Sequence, residues 1–577
     1  MHSAHDLLTR WPALDIAAKR ARLQESLHLA AGPLSDIFTT STPAAERAAG
    51  ALWLREPSAW SSDPAEEQKI AKRLGWMTSP LLMADAIDRL VEFARSIRLH
   101  GFADVVLLGM GGSSLAPEVL RAVLGVRAGW PRFQILDSTD PAAVRAAATP
   151  PETTLYVCSS KSGTTIEPNA LTSHFRQRLE QAGVRRWGDH FVAITDEGTD
   201  LAHRARTEGF RDLFINPSDI GGRYSAVSFF GLVPAALMGL DISAIIGWSI
   251  AMLAAAEPGF GTAATNPATA LGLAIGAGAR AGRDKLTLLV PSQLEPFGLW
   301  VEQLIAESTG KQGTGSVPIA GEHVADPSTY GADRLFVRIN PQEPKDLSGP
   351  IVDIHLPETA AIGAEFVRWE IATAVAGALL HINPFDEPNV QQAKDATRAL
   401  LDQYVTTRTL PSITPEQVLG GGGVSLTSSS AAHRYLTDRA PDAILTLLRK
   451  GDYFALLAYL GPDRALGEQL RALRQSVANA TGAATMFGYG PRYLHSTGQL
   501  HKGGPNTGVF LVITATPQED VAIPDAPYSF GTLELAQALG DFASLDAAGR
   551  RAIHAHLPSP DAALIRQLGD ALLAHVS

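Results

Sequence analysis

The sequence is poor in cysteine. Its 577 residues include a single cysteine, Cys158, so the chain cannot form an internal disulfide bond. Nothing in the sequence therefore requires an oxidising compartment. The first fifteen residues also lack the basic start and the apolar run of a secretory signal peptide. From these absences we expect a cytoplasmic protein.

Positive charge is scarce as well. The chain carries 48 Lys and Arg residues against 59 Asp and Glu residues, which gives a net charge of -11. A general nucleic-acid binder needs a surface that neutralises many phosphates, so this composition argues against nucleic acid as a partner. If the ligand is a small anion, it must meet a locally positive pocket.

No apolar stretch is long enough to cross a bilayer without interruption. Residues 231–256 come nearest, but Pro234, Asp241 and Ser249 divide them. Each uninterrupted piece is shorter than the roughly 20 residues that a membrane span requires. We predict two buried helices here and no membrane partner.

The pattern of apolar residues predicts an α/β protein of several units. A chain of this length suggests three or four compact units, at roughly 100 to 200 residues each. Residues 1–75 show helical spacing only, which predicts an N-terminal helical segment. Residues 76–260 and residues 261–400 alternate short apolar strands with helices, and this alternation predicts two doubly wound domains with parallel sheets.

The last third of the chain predicts a connector and a further module. Residues 401–450 indicate helices interrupted by four glycines at 420–423, a composition typical of a mobile linker. Residues 451–577 again mix strands and helices, which predicts a C-terminal α/β module.

Two loops are rich in small hydroxyl residues. Residues 109–114 (GMGGSS) and residues 159–165 (SSKSGTT) each follow a predicted strand and precede a predicted helix. Ligands of open parallel sheets bind outside the carboxyl ends of the strands. Hydroxyl groups, free amides at a helix start and one lysine suit a single phosphate monoester. Ordinary turn and capping chemistry explains either loop equally well on its own.

A nucleotide is the obvious competing ligand. The first loop nearly reads GxGxxG, and Asp137 follows the next strand, where a ribose-binding acid would stand. The third glycine, however, is replaced by Ser114, which breaks the dinucleotide fingerprint. The STGK sequence at 308–311 is not a P-loop either, because Ile305 occupies a required glycine position and Gln312 follows the lysine.

Glu307 lies where a carboxylate is unexpected. In LWVEQLIAESTGK it shares one helical stripe with Trp300 and Leu304, and Gly310 marks the end of the helix. Burial and the negative end of the helix dipole both disfavour the ionised form. We therefore expect a raised pKa, in the range suited to a general base. A surface or salt-bridged glutamate in the last turn is the alternative.

Three further residues stand out by their surroundings. Arg223 lies in SDIGGRYSAVSFFGL before an apolar helix, so its cation either enters a cleft or pairs with an acid. His495 and His501 belong to a long glycine-rich segment, GYGPRYLHSTGQLHKGGPNTG. Such loops are common functional sites. No histidine has the spacing to carboxylates or cysteines that indicates a metal site, so we predict no metal.

Several segments together resemble phosphoglucose isomerases, which contain two sugar isomerase (SIS) domains. They are LGMGGSSLAP, SSKSGTTIEP, GGRYSAVS, EQLIAESTGK, INPFDEPNVQQAK and PRYLHSTGQLHKGGPNTG, spread in order over roughly residues 50–540. The likeness is greatest to the isomerase part of bifunctional transaldolase/phosphoglucose isomerases. Only about fifty residues precede the isomerase-like part, so we expect the isomerase alone.

The resemblance implies an aldose-ketose isomerase of glycolysis and gluconeogenesis. It would interconvert glucose 6-phosphate and fructose 6-phosphate through an enediolate, without a cofactor. In this family Glu307 would move the proton between C2 and C1, and Arg223 would stabilise the intermediate. The sugar phosphate would be surrounded by Gly112, Ser113, Ser160, Lys161, Ser162, Thr164 and Thr165.

The resemblance also implies a lysine and a histidine for ring opening. The lysine maps to Lys394, and the histidine to His495 with His501 in reserve. In the family this histidine comes from the neighbouring subunit of a dimer, so a homodimer is a possible assembly. A mannose 6-phosphate or dual-specificity isomerase and a non-catalytic SIS-type sugar-phosphate sensor are the alternative functions.

Overall fold

The computed structural model describes residues 4–259, 261–341, 347–411, 414–420 and 423–576. The strands form three sheets, each built mainly from parallel strands and packed against helices. The predicted α/β fold class, with doubly wound parallel-sheet units and a C-terminal α/β module, is confirmed. The glycines predicted as a linker include Gly421 and Gly422, which lie outside the described residues.

The N-terminal segment is not purely helical. Its elements are α1 (Ala4–Arg10), α2 (Ile16–Gln24), β1 (Leu27–Ala30), α3 (Ser35–Leu54) and α4 (Pro64–Ala71). The sequence predicted helices alone, and β1 corrects this because it pairs antiparallel with residues 351–354. Helix α4 begins after Asp63, whose carboxylate accepts a hydrogen bond from the Ala65 amide.

The first sheet has five parallel strands in the order β3-β2-β4-β5-β6. Its unit contains α5 (Ser79–Asp85), α6 (Ile87–Leu99), β2 (Asp104–Gly109), α7 (Leu115–Leu124), β3 (Arg132–Leu136), α8 (Pro141–Ala146), β4 (Thr154–Ser159), α9 (Ile166–Gln181), β5 (Phe191–Asp196), α10 (Asp200–Thr207), β6 (Asp212–Asn216), α11 (Phe229–Leu237) and α12 (Ile242–Ala255). Strands β2 and β4 are buried along their whole length, as expected for strands covered on both faces.

The apolar stretch at 231–256 forms two buried helices, α11 and α12, as predicted. Asp241 caps α12 by accepting a hydrogen bond from the Ala244 amide. Within the described part of the chain, no helix is long and apolar enough to span a membrane.

The second sheet follows the order β1-β10-β9-β7-β8. It is parallel except for β1 at its edge. The elements of this unit are α13 (Thr269–Arg280), β7 (Lys285–Leu289), α14 (Glu295–Thr309), β8 (Val317–Ile319), β9 (Arg334–Ile339), β10 (Ile351–Ile354), α15 (Ile362–Leu379) and α16 (Val390–Thr407). Helix α14 ends before Gly310, where the sequence predicted its end.

The third sheet follows the order β11-β12-β16-β15-β13-β14. Its elements are β11 (Gln417–Val418), β12 (Ser425–Ser428), α17 (Ser430–Leu436), β13 (Tyr453–Tyr459), α18 (Arg464–Thr481), β14 (Ala484–Tyr489), α19 (Gly498–Gly503), β15 (Gly508–Ala515), α20 (Phe530–Ala547), β16 (Arg551–Leu557) and α21 (Ala562–Leu573). The predicted helical connector is wrong in part, because β11 and β12 form the antiparallel edge of this sheet.

The topology brings several loops to one edge of the first sheet. The chain leaves β2 toward β3 on one side and then crosses to β4 on the other, so the order reverses between β2 and β4. In open α/β sheets this reversal opens a crevice at the carboxyl ends of the strands. Helix α14 contacts both α7 and α19, which brings the second unit and the C-terminal module to the same edge.

Candidate active site

A cavity of about 830 Å³ lies at the carboxyl ends of the first sheet. The loops that follow β2, β4, β5 and β6 form one wall. The opposite wall comes from α14, from residues 383–394 and from His495. This volume lies within the range of roughly 300 to 1,000 Å³ that is usual for small-molecule sites.

The loop after β2 packs tightly against its neighbours. Gly111 has a φ of 53°, and a Cβ atom there would lie 2.6 Å from the carbonyl oxygen of His495. A Cβ atom at Gly112 would lie 2.1 Å from the carbonyl oxygen of Gly222. Both positions therefore need glycine for steric reasons. Gly112 and Ser113 line the cavity, where the resemblance placed them.

The loop after β4 leads into a long helix. Ser160, Lys161, Ser162 and Thr165 line the cavity. Thr164 instead lines a smaller adjoining cavity of about 410 Å³. Helix α9 starts after Thr165 without a side-chain cap, so its first amide groups are free to bind an anion.

Lys161 is already paired in this arrangement. Its ammonium donates to the carboxylate of Asp196 and to the carbonyl oxygen of Ser218, the latter at 3.0 Å. Burial raises the pKa of Asp196, although the hydrogen bond and charge of Lys161 act in the opposite direction. The lysine thus fixes the loops after β4, β5 and β6 to one another.

Glu307 is buried in the last turn of α14, where it lines the cavity. Its Oε2 accepts a hydrogen bond of 3.2 Å from Gln303, and its Oε1 lies 3.6 Å from the Arg223 guanidinium. Burial raises the pKa of Glu307, and the charge of Arg223 only partly offsets this. The raised pKa predicted from the sequence is therefore confirmed, with burial as its main cause.

Arg223 is buried and held by several partners. It donates to Ser308 Oγ at 2.7 Å, to the carbonyl oxygens of Pro384 and Asp386, and to Glu387 Oε2 at 2.9 Å. Burial disfavours its charge, but the carboxylates of Glu307 and Glu387 outweigh this and raise its pKa. A fixed cation thus lies beside Glu307.

Glu387 has the opposite pKa shift from Glu307. Burial acts to raise the pKa of Glu387, but the charge and the hydrogen bond of Arg223 outweigh burial and lower it. The pKa values of two carboxyl groups beside one guanidinium thus shift in opposite directions. Opposite shifts of this kind allow chemically similar groups to take different roles.

His495 reaches the cavity from the C-terminal module of the same chain. Its Nε2 lies 2.9 Å from Glu167 Oε1, which also accepts a hydrogen bond of 2.7 Å from Gln537. Burial acts to raise the pKa of Glu167, but His495 outweighs it and the pKa is lowered. Gln303 donates to the carbonyl oxygen of His495 at 2.7 Å, so one amide side chain joins this segment to Glu307.

Lys394 lies in the second turn of α16 and lines both cavities. It is exposed, and its charge helps to lower the pKa of Glu167.

His501, the reserve histidine, lines neither cavity. It is buried among Tyr453, Tyr493 and Phe510, and burial lowers its pKa far below the usual range. The reserve assignment is therefore not supported.

Sequence reasoning missed several residues at this site. Lys311 is buried, burial lowers its pKa to about 8, and its ammonium binds the Asn383 carbonyl at 2.8 Å and Asp386 Oδ1 at 2.6 Å. Glu167 and Glu387 lie inside SSKSGTTIEP and INPFDEPNVQQAK, so the motifs were recognised while these acids were passed over.

Among the described residues, no group of three or more His, Cys, Asp or Glu side chains is placed to bind a metal ion.

Comparison with known proteins points to one family. The family model of phosphoglucose isomerase matches residues 92–319. A probable glucose-6-phosphate isomerase of Natronomonas pharaonis is 31% identical over 390 residues, which cover 59% of this chain and 88% of the relative. A glucose-6-phosphate isomerase of Parasynechococcus marenigrum is 28% identical over 421 residues, covering 63% of this chain and 73% of the relative.

The solved structures add support for the fold. A hypothetical protein from Thermus thermophilus superposes with a TM-score of 0.52 at 24% identity, covering 64% of this chain and 99% of that one. The greater likeness to the isomerase part of bifunctional proteins is not tested by these relatives and stays a prediction.

Proposed function

Because the chain belongs to the phosphoglucose isomerase family, we propose that it interconverts glucose 6-phosphate and fructose 6-phosphate through a cis-enediolate. The observation that carries this proposal is a buried carboxyl group, Glu307, with a raised pKa beside a fixed arginine in a cavity edged by hydroxyl loops. The reaction would serve glycolysis and gluconeogenesis.

The substrate's phosphate group binds the loop after β4. Ser160, Ser162 and Thr165 offer hydroxyl groups, and the first amides of α9 offer further donors with the positive end of the helix dipole. Gly112 and Ser113 complete this side, and Thr164 contributes from the adjoining cavity. Binding at the phosphate aligns C1 and C2 of the sugar with the opposite wall.

His495 and Lys394 open the sugar ring. Ring opening requires a proton to leave the anomeric hydroxyl group and a proton to reach the ring oxygen. The contact with Glu167 fixes the orientation of the His495 imidazole. Lys394 lines the same cavity from α16 and supplies an exposed ammonium group.

Glu307 then transfers the proton. As the carboxylate it takes the proton from C2 of the aldose, and as the carboxylic acid it returns this proton to C1. The hydroxyl proton of O2 moves to O1 in the same interconversion, which leaves the ketose. A raised pKa suits a group that must accept and release a proton near neutral pH. Arg223 stabilises the negative charge of the enediolate between the two steps, and such a contribution is typically worth about 10²- to 10³-fold in rate.

The decisive experiment compares two glutamates of α14. Glu307→Gln should abolish turnover of fructose 6-phosphate, and incorporation of solvent deuterium at C1 and C2, while sugar-phosphate binding persists. Glu302→Gln is the matched control, since Glu302 is also buried on the same helix, accepts from the Ala320 amide and lines neither cavity of the site. Burial raises the pKa of Glu302 to about 8, so a neutral amide resembles its state at pH 7.

The same preparation separates the alternative functions. Turnover of fructose 6-phosphate in the presence of a chelator supports a metal-independent isomerase. A sensor protein would bind the sugar phosphate without incorporating deuterium. An isomerase specific for mannose 6-phosphate would convert that sugar and leave glucose 6-phosphate untouched. Near-normal turnover by the Glu307→Gln protein would refute the assignment of the base.

A further inference from the structure

The formal charges that line the main cavity balance. Six cationic side chains, Lys69, Lys72, Arg73, Lys161, Arg223 and Lys394, face six carboxyl groups, Asp196, Glu197, Asp219, Glu307, Asp386 and Glu387. Without Lys69, Lys72 and Arg73, only three cationic side chains would face the six carboxyl groups. A phosphate dianion entering a protein of net charge -11 therefore depends on these three residues for a neutral cavity.

Two of the cationic side chains that line the cavity already pair with carboxylates. Lys161 pairs with Asp196, and Arg223 pairs with Glu387 and lies 3.6 Å from Glu307. The hydroxyl groups of the loop after β4 also bond one another, since Ser160 donates to Thr165. This loop can supply oriented dipoles, but its single lysine brings no net positive charge.

Lys69, Lys72 and Arg73 form a basic rim at the end of α4. Lys69 pairs with Glu66 on the outer surface at 2.6 Å. The Lys72 ammonium and the Arg73 guanidinium make no hydrogen bond or salt bridge with any other described residue. Arg73 is half-buried, and its charge acts on both Asp196 and Glu387, which belong to opposite walls of the cavity.

The backbone holds the basic rim in place. Leu74 forms an antiparallel bridge with Ile220, and the Gly75 amide donates to the Asp219 carbonyl oxygen at 3.0 Å. A Cβ atom at Gly75 would lie 2.1 Å from the Asp219 carboxylate, so a larger residue there would displace this side chain. Arg73 is therefore anchored beside the loop that carries Arg223.

We propose that the basic rim is a capture site for the phosphate dianion of the sugar, which it binds and passes to the loop after β4. This inference rests on the proposed isomerase function. The rim attracts the substrate at long range and adds to the stability of the bound dianion, whereas it does not touch C1 or C2. Its removal should therefore lower kcat/KM and leave kcat unchanged.

The test replaces the three charges of the rim together, as Lys69→Gln, Lys72→Gln and Arg73→Gln in one protein. The matched control removes the same net charge from exposed residues that line neither cavity of the site: Arg127→Gln, Arg185→Gln and Lys450→Gln. For the rim variant we expect kcat/KM on fructose 6-phosphate to fall about tenfold at low ionic strength, with kcat within twofold. The loss should shrink as salt is added, because screening already weakens the attraction in the unaltered enzyme.

A single charge reversal guards against misfolding of the triple variant. Lys72→Glu changes one exposed side chain and should reproduce part of the loss in kcat/KM. If the rim variant and the control show the same kcat/KM and the same dependence on salt, the capture site is refuted. If the unaltered protein turns over no hexose phosphate, the isomerase proposal fails. The capture site is then judged by calorimetry with fructose 6-phosphate, where weaker binding by the rim variant than by the control supports it and equal binding overturns it.

Discussion

Replacing Glu387 with glutamine should shift the activity of the enzyme to lower pH. Glu387 Oε2 lies 2.9 Å and Glu307 Oε1 lies 3.6 Å from the same nitrogen of Arg223. The negative charge of Glu387 disfavours a second negative charge on Glu307. It also offsets part of the attraction between the Arg223 guanidinium and Glu307. Both effects raise the pKa of Glu307, so their removal should lower it.

The geometry sets the size of this shift. Because both carboxylate oxygens contact one nitrogen, they lie at most about 6.5 Å apart. At an effective dielectric constant of about 20, two unit charges at that separation repel by about 2.5 kcal/mol. The Glu387 side chain is 40% exposed, so solvent screening reduces the interaction. We therefore expect the pKa of Glu307 to fall by about one unit, at about 1.4 kcal/mol per unit.

The measurement is the pH dependence of kcat/KM for fructose 6-phosphate in a coupled assay. Ionised Glu307 is the active base, so kcat/KM falls on the acid side as pH drops through its pKa. The Glu387→Gln protein should keep its activity to about one pH unit lower than the unaltered enzyme. The substrate phosphate titrates near pH 6 in every variant, so it does not contribute to the difference.

A second acid of the cavity provides the control. Glu197 lines the same cavity but pairs with exposed Arg206 at 2.9 Å. Glu197→Gln should leave the acid limb where it is. If the Glu387→Gln protein shows an unmoved acid limb, or one moved to higher pH, then Glu387 does not govern the ionisation of Glu307 and the electrostatic reasoning is wrong.

Three further outcomes are expected. Lys394→Ala should slow turnover of the cyclic sugar more than that of an open-chain sugar phosphate, and equal losses on both would remove it from ring opening. Glu167→Ala frees the imidazole of His495 and should lower kcat on the cyclic sugar by about 10- to 100-fold, with a smaller loss on the open-chain form. Asp541→Asn removes the negative charge that lies 2.5 Å from the buried ammonium of Lys502 and should lower the free energy of unfolding by about 3 to 5 kcal/mol in chemical denaturation; an unchanged midpoint would contradict this.

Much of the first sheet and its loops could be predicted from the sequence. Strands β2 and β4 are covered on both faces, so they appear as unbroken apolar runs, and the hydroxyl loops follow them directly. Glu307 could be found because it interrupts the apolar stripe of α14. These signals come from residues that are neighbours in the chain, so they can be recognised in a single sequence.

The misses involve partners that are distant in sequence. Strand β1 is recognisable only through its pairing with β10, more than 300 residues later. Strand β12 pairs with β16, at the far end of the C-terminal module. The same holds for the acids of the site, since the roles of Glu167 and Glu387 depend on His495 and Arg223, which the fold brings to them.

The path of the C-terminal module has a consequence for complementation between subunits. His495 meets Glu167, and through Gln303 the segment around Glu307, inside a single polypeptide. Each subunit of any oligomer would then hold its own full catalytic set. Mixing a Glu307→Gln protein with a His495→Ala protein should accordingly yield no hybrid activity, whereas a histidine lent across a dimer would restore it in the mixed species.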